Sequence, residues 1–182
     1  MRTMELGVTI TDAAVDKKAA TIFCTPVTRD PKCPDCGNES RYRDTVTRPL
    51  TDLSVAGYPL VLRVAAPRYL CLTPQCGRSV FNQDLGKLAA PRASTTRRSA
   101  RYVLRRLMID RTTIAATAAE LVVSWRTVSL IAVRATASLA AAAGPDRLAG
   151  VKVIGVDEHR WAPRRRGAEG FVTLIIDLTP DP

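Results

Sequence analysis

The sequence predicts a mixed α+β chain of more than one domain, on three observations. Two close cysteine pairs sit in a β-rich N-terminal stretch, apolar residues from Ser94 onward recur at helical spacing, and two β-branched runs stand near the C-terminus. The expected boundaries are 1–90 for a small zinc-stapled β-rich domain, 91–143 for a helical domain, 144–150 for a linker and 151–182 for a β-hairpin.

Over 182 residues, a hydrophobic share of 46% and a charged share of 24% lie near the globular average, which excludes a disordered or collagen-like chain. No apolar run approaches the roughly 20 residues of a membrane helix, and MRTMELGVTITD lacks the apolar centre of a signal peptide. A cytoplasmic protein with no membrane partner is expected.

The N-terminal elements follow from alternation. Gly7 to Val15 and Thr21 to Val27 read as strands, and Gly57-Tyr58-Pro59 turns the chain into a third, Leu60 to Ala66. Cys33 and Cys36 stand in CPDCG, Cys71 and Cys76 in CLTPQCG. Four thiolates at such paired spacings match a tetrahedral zinc site better than disulfides, which the cytosolic redox poise disfavours. Four sulfur ligands leave no open position for water, so the zinc is expected to build structure and not to catalyse. Gly37 and Gly77, directly after Cys36 and Cys76, suit a tight turn around bound sulfur. Cys24 falls in a strand pattern and reads as a buried thiol. Arg41, Arg43, Arg48, Arg63, Arg68 and Arg78 decorate this region, where they can touch phosphates or keep the sheet soluble.

The formal charge of +10 is concentrated: residues 91–134 carry 9 basic and 2 acidic groups, whereas residues 135–182 balance at 6 and 6. Such a segment fits contact with a phosphate backbone. Within it Ala100, Val103, Leu104, Leu107 and Met108 form one apolar helix face. Arg97, Arg101 and Arg105 fall on another face and, with Arg98, are the expected DNA contacts. Thr112 can cap a short second helix with Ile114, Ala118 and Leu121 inward, and Ser124 can cap a third with Val128, Ile131, Ala132 and Ala135 inward. The pair reads as a helix-turn-helix.

Its second helix would bring Trp125, Arg126, Thr127 and Ser129 to the major groove of double-stranded DNA, with Arg126 as the base reader; Trp125 can pack on the preceding helix instead. Val122-Val123 reads as a tight connection, yet Val122 stands where such a turn usually has Gly, which allows a longer or differently shaped one. The third helix can run through ATASLAAAA to Gly144-Pro145. Beyond it, Val151 to Val156 and Gly170 to Leu178 form a hairpin around the basic stretch that includes Arg164-Arg165-Arg166-Gly167, with Asp157-Glu158 at the end of its first strand.

The order of these parts resembles a known family. CPDCG, RPLTDL, GYPLVLRV, PRYLCLTPQCGRSVF, TTIAATAAELVVSWRTVSLI, IGVDEHRW and VTLIIDLTP together are similar to the N-terminal half of bacterial insertion-sequence transposases of the ISL-three type. The resemblance implies a Cys-four zinc finger held by Cys33, Cys36, Cys71 and Cys76, and a helix-turn-helix that together recognise terminal inverted repeats. It further implies the first hairpin of an RNase-H-like domain of the Asp-Asp-Glu type, with Asp157 as its first catalytic carboxylate and a ligand for magnesium. A homo-oligomer on DNA and a place on the nucleoid follow from the same resemblance. It assigns no ligand role to Glu158 or His159, and Asp177 comes too early to be the second carboxylate.

Strand transfer uses two metal ions, and one carboxylate cannot position both. No strand transfer by this polypeptide alone is therefore expected. Two functions follow: the DNA-binding portion of a transposase, or a stand-alone DNA-binding regulator that represses transposition. RNA binding is disfavoured, because Tyr42, Tyr58, Tyr69 and Phe81 are scattered and offer no stacking platform.

Overall fold

The computed structural model describes residues 6–144, 149–160 and 171–180. They fall into two units, Met1–Ala135 and Thr136–Pro182.

The first unit is built on a sheet of β1 (Val8–Val15), β2 (Ala20–Pro26), β3 (Arg41–Val55), β4 (Tyr58–Leu70) and β5 (Val80–Asn82). The order is β1-β2-β4-β3 with β5 added on β4; β1 runs antiparallel to β2, β2 parallel to β4, and β3 antiparallel to β4. Period-2 patterning puts Leu60, Leu62, Val64 and Ala66 of β4 on one face, each 2% exposed or less. They pack with Leu50 of β3 and with Leu85, Leu88 and Ala89 from the segment after β5. Cys24 is buried in the same core, and its thiol donates to the Arg63 carbonyl at 3.9 Å.

The long strand β3 is absent from the sequence expectation. Pro49 and a run of Arg, Asp and Thr mask it, and only pairing with β4 from Arg41↔Leu70 to Val55↔Tyr58 makes it a strand. Its turn into β4 places Ala56 at φ 48° and Gly57 at φ 84°, the two left-handed residues of a type I′ hairpin.

Three helices follow: α1 (Arg97–Met108), α2 (Ile114–Leu121) and α3 (Trp125–Ala142). Thr96 caps α1 by accepting from the Ser99 N–H, and Ser124 caps α3 by accepting from the Thr127 N–H, both at 3.1 Å. The cap of α2 is Thr113, one residue later than the expected Thr112; its hydroxyl accepts from Ala116 N–H at 3.1 Å. Val103, Ala118, Leu121 and Val128 form the helical core, with Leu53 of β3 packed against it. Met108, expected on the apolar face, is 75% exposed, because it lies at the last residue of α1 beyond the reach of α2 and α3.

The turn between α2 and α3 resolves a second expectation. Val122 does adopt the left-handed conformation, at φ 53° and ψ 46°. Its N–H donates to Ala119 O and the Val123 N–H donates to Ala118 O, which closes the helix as a Schellman motif. The connection is short and regular, and two hydrogen bonds plus the packing of Val123 into the core hold a β-branched residue where Gly is usual.

The second unit contains the hairpin of β6 (Ile154–Arg160) and β7 (Phe171–Asp177), paired antiparallel from Ile154↔Asp177 to Arg160↔Phe171. The strand β6 starts and ends later than the expected Val151–Val156, since cross-strand pairing continues through Glu158↔Thr173 and His159↔Val172. Asp157 is accordingly mid-strand and not at a strand end. The stretch Arg164-Arg165-Arg166-Gly167 and Pro145 of the linker lie outside the described residues. Among the described residues, no single helix is long and apolar enough to cross a membrane.

Candidate metal centre and nucleic-acid interface

The sheet builds the cysteine site from two loops. The first, Cys33 to Gly37, precedes β3; it is closed by Gly37 N–H to Cys33 O at 2.8 Å and by Cys33 N–H to Asn38 O at 2.9 Å. Gly37 sits at φ 74°, the left-handed conformation that its lack of a Cβ permits. The second, Cys71 to Cys76, links β4 to β5 and is closed by Cys71 N–H to Ser79 O at 2.9 Å and Cys76 N–H to Thr73 O at 3.1 Å. Gly77 is not left-handed, contrary to the expectation of two equivalent glycine turns; the longer second loop turns without it.

Cross-links bring the loops together. Arg78 Nε donates to the Asp35 carboxylate at 2.7 Å, and Asn38 Nδ2 donates to Thr73 Oγ1 at 3.0 Å. Tyr69 and Phe81, with ring centroids 5.6 Å apart, pack beneath the sulfurs as a floor that excludes water.

All four sulfurs lie within 4.8 Å of one another, with Cys33 to Cys76 at 3.8 Å and Cys36 to Cys71 at 3.7 Å. A tetrahedron with Zn–S bonds near 2.3 Å has edges of about 3.8 Å, so the donor set and its spacing fit zinc.

The thiols are electrostatically coupled. Cys36 is held down at about 6 by the Asn38 backbone N–H first and the Thr73 hydroxyl second. Cys71 is lowered too, mainly by the backbone N–H of Thr73. At Cys76 the Arg78 backbone N–H favours the thiolate, yet desolvation and the neighbouring Cys33, Cys36 and Cys71 sulfurs outweigh it and push the group up to about 12. Four thiols this close cannot all ionise without a cation between them, and a divalent ion supplies that charge.

Residues 29–76 match the family model of the zinc-finger of transposase IS204/IS1001/IS1096/IS1165. All four clustered cysteines fall inside the matched segment. No curated protein and no solved structure matches the chain. The match supports an insertion-sequence transposase N-terminus with a structural zinc, and it ends at Cys76, before the helices and the hairpin.

Around this zinc ribbon the sheet arginines divide by use. Arg68 forks onto Asp44, Arg78 binds Asp35, and Arg48 donates to Ala93 O at 3.0 Å, so these hold structure; Arg41 and Arg63 are exposed.

Sequence reasoning missed how the zinc ribbon joins the helices. Residues 94–96 pair with the outer edge of β3, through Thr51 N–H to Ser94 O at 2.9 Å and Thr96 N–H to Thr51 O at 3.0 Å. Beneath this seam Asp52, 1% exposed, accepts from Thr96 Oγ1 and Arg98 Nε, both at 2.7 Å, and from the second guanidinium nitrogen of Arg98. Arg98, grouped by sequence with the DNA contacts, thus turns its guanidinium inward to a buried carboxylate. A lone Asp in an alternating strand was the available signal, and nothing in the sequence names its partner.

Arg97, Arg101 and Arg105 are exposed on α1. Arg97 Nε donates to Gly86 O at 2.8 Å. The axes of α2 and α3 are bent by 117° across the Val122 turn. At the start of α3, Trp125 is 57% exposed and Arg126 is exposed beside it; Thr127 and Ser129 are half-buried. Thr127 Oγ1 shares a 2.8 Å hydrogen bond with the capping Ser124 hydroxyl.

Asp157 is exposed on β6 opposite Leu174, and Glu158 alternates to the other face. Among the described residues the cysteine cluster is the one group of three or more side chains of metal-ligand type. Among the described residues, no such group surrounds Asp157.

Proposed function

We propose that this chain is the DNA-binding portion of an insertion-sequence transposase, with zinc held by Cys33, Cys36, Cys71 and Cys76 and a helix-turn-helix formed by α2 and α3. The observation that carries the reading is the match of residues 29–76 to a transposase zinc-finger, coupled to four sulfurs at zinc-fitting distances. The inter-helix angle of 117° agrees with the range usual for a helix-turn-helix.

In this reading the zinc ribbon and helices engage terminal inverted repeats of a mobile element in the bacterial cytoplasm, on the nucleoid, as a homo-oligomer that pairs two element ends. The N-terminal residues of α3 enter the major groove, where Arg126 donates two hydrogen bonds to a guanine and Trp125, Thr127 and Ser129 flank it. Arg97, Arg101 and Arg105 neutralise phosphates, while Arg98 positions α1 through Asp52. Asp157 belongs to catalysis only within a complete metal-binding domain.

The test is a mobility-shift titration of the zinc-loaded chain on the repeats that flank its gene, against scrambled duplex at two salt concentrations. Repeat-selective, salt-sensitive binding is expected, and Arg126→Ala should cost about 1–3 kcal/mol on the cognate site and little on scrambled DNA. Equal affinity of the wild-type chain for both duplexes would overturn repeat recognition.

A further inference from the structure

A groove of about 430 Å³ lies between the N-terminal half of α1 and the first turns of α3. Its floor is aliphatic, formed by Ala100, Leu104 and Ile131. Its rim carries four guanidinium groups, from Arg92, Arg97, Arg101 and Arg134, and no carboxylate lines it. The hydrogen bond from Arg97 Nε to Gly86 O fixes one of these cations at the edge, and Leu130 stays 40% exposed above the floor. Thr127, next to the proposed base-reading Arg126, lines the same groove.

We infer that this groove binds an unpaired nucleotide of a DNA strand that continues from the duplex held by α3. The inference rests on the DNA-binding reading above and adds a second subsite to it. A duplex backbone alone offers a thin, hydrated run of phosphate and sugar that gains nothing from an aliphatic floor. An unstacked base with its sugar fills such a floor, and its flanking phosphates meet the arginine rim. Arg side chains add flat faces on which a base can stack. Charge argues against a second copy as occupant, since the chain carries a net +10 and would bring more positive charge to a groove already lined by arginines.

The experiment uses the full zinc-loaded chain and two probes: a blunt duplex, and the same duplex with a short single-stranded extension carrying 2-aminopurine at its first unpaired position. The extended probe should bind about fivefold tighter or better, with a change in 2-aminopurine emission as the base leaves water for the floor. Ala100→Phe, which fills the floor, should abolish both the preference and the emission change while blunt-duplex affinity holds.

Arg92→Asn is the second variant: Arg92 sits at φ 59°, a conformation Asn tolerates, so the fold is preserved while one rim charge is removed. It should reduce the preference at least twofold. Equal binding of both probes with unchanged emission would overturn the nucleotide subsite and leave the DNA-binding reading standing. Failure to bind either probe would overturn that reading and this one with it. Displacement of the extended probe by an acidic peptide, with no emission change on DNA, would assign the groove to a protein partner instead and equally overturn the proposal.

Discussion

The strand β4 and the hairpin β6–β7 use the same apolar, β-branched alphabet and end in opposite environments. In β4 the alternating Leu60, Leu62, Val64 and Ala66 lie under Leu85, Leu88 and Ala89 and lose nearly all contact with water. In the hairpin every strand residue except the half-buried Gly155 is exposed, including Val156, Val172, Leu174 and Ile175. Alternation states which side chains share a face; only another layer decides whether that face is buried. In the first unit that layer comes from the segment after β5, from the helices, and from a cysteine cluster over Tyr69 and Phe81. The hairpin is apolar on both faces, with Leu174 on one and Ile175 on the other.

Removing the metal tests this contrast most strongly. Zinc coupled to such a site contributes on the order of 10 kcal/mol to folding, so chelation or Cys33→Ser should collapse amide protection in β3, β4 and β5. Hydrogen exchange in the exposed hairpin should change little. Loss of protection in both units together would show that the hairpin depends on the zinc-ribbon fold.

Two aspartates give the next largest effect. Asp52→Ala removes a buried carboxylate from Thr96 and Arg98, and should lower unfolding free energy by about 3 kcal/mol; Arg98 is partly solvated, which holds the loss near the low end for a broken buried pair. Asp157→Ala, on the exposed strand, should shift stability by less than about 0.5 kcal/mol. Denaturant melts followed by helical and by aromatic signals would check both, and an insensitive Asp52 would dissolve the proposed coupling of sheet to helices.

The thiols sharpen the account of the metal centre. In the chain just stripped of metal near pH 7, before the sheet opens, Cys36, held at about 6, is a thiolate, whereas Cys76, near 12, is protonated. A brief alkylation pulse at the moment of chelation, followed by peptide mass spectrometry, should label Cys36 before Cys76. Because Cys36 is depressed below its unfolded value, its thiolate favours the folded metal-free chain above that unfolded value, and the benefit fades as pH falls through about 6. Zinc must displace the Cys76 proton at any pH below about 12, so metal uptake should release protons and weaken on acidification.

A modest gain is expected at the helix turn. Val122→Gly frees a strained left-handed position whose side chain is 67% exposed, and should stabilise the first unit by about 1 kcal/mol, read as a rise in Tm.

Much of the first unit was legible in advance. The cysteine spacings singled out the four clustered sulfurs, helical periodicity placed Val103, Ala118, Leu121 and Val128 inside, and Ser124 was readable as a cap. These signals are local, since a ligand pair, a cap or a helix face is defined within a few residues. The strand β3, the inward turn of Arg98 and the arginine-rimmed groove were not legible, because each depends on a neighbour far along the chain.

By itself, the sequence determined the chemistry available: four thiols in two pairs, a concentrated run of arginine beside apolar helical faces, and one Asp in a late β-branched run. Only the tertiary structure decided which of those groups meet. It closed four sulfurs into one site, spent Arg98 on Asp52 while leaving Arg97 and Arg101 exposed, and buried one apolar strand while leaving another open. The physical reason is that burial and pairing are properties of two surfaces in contact, and a sequence pattern describes only one surface at a time.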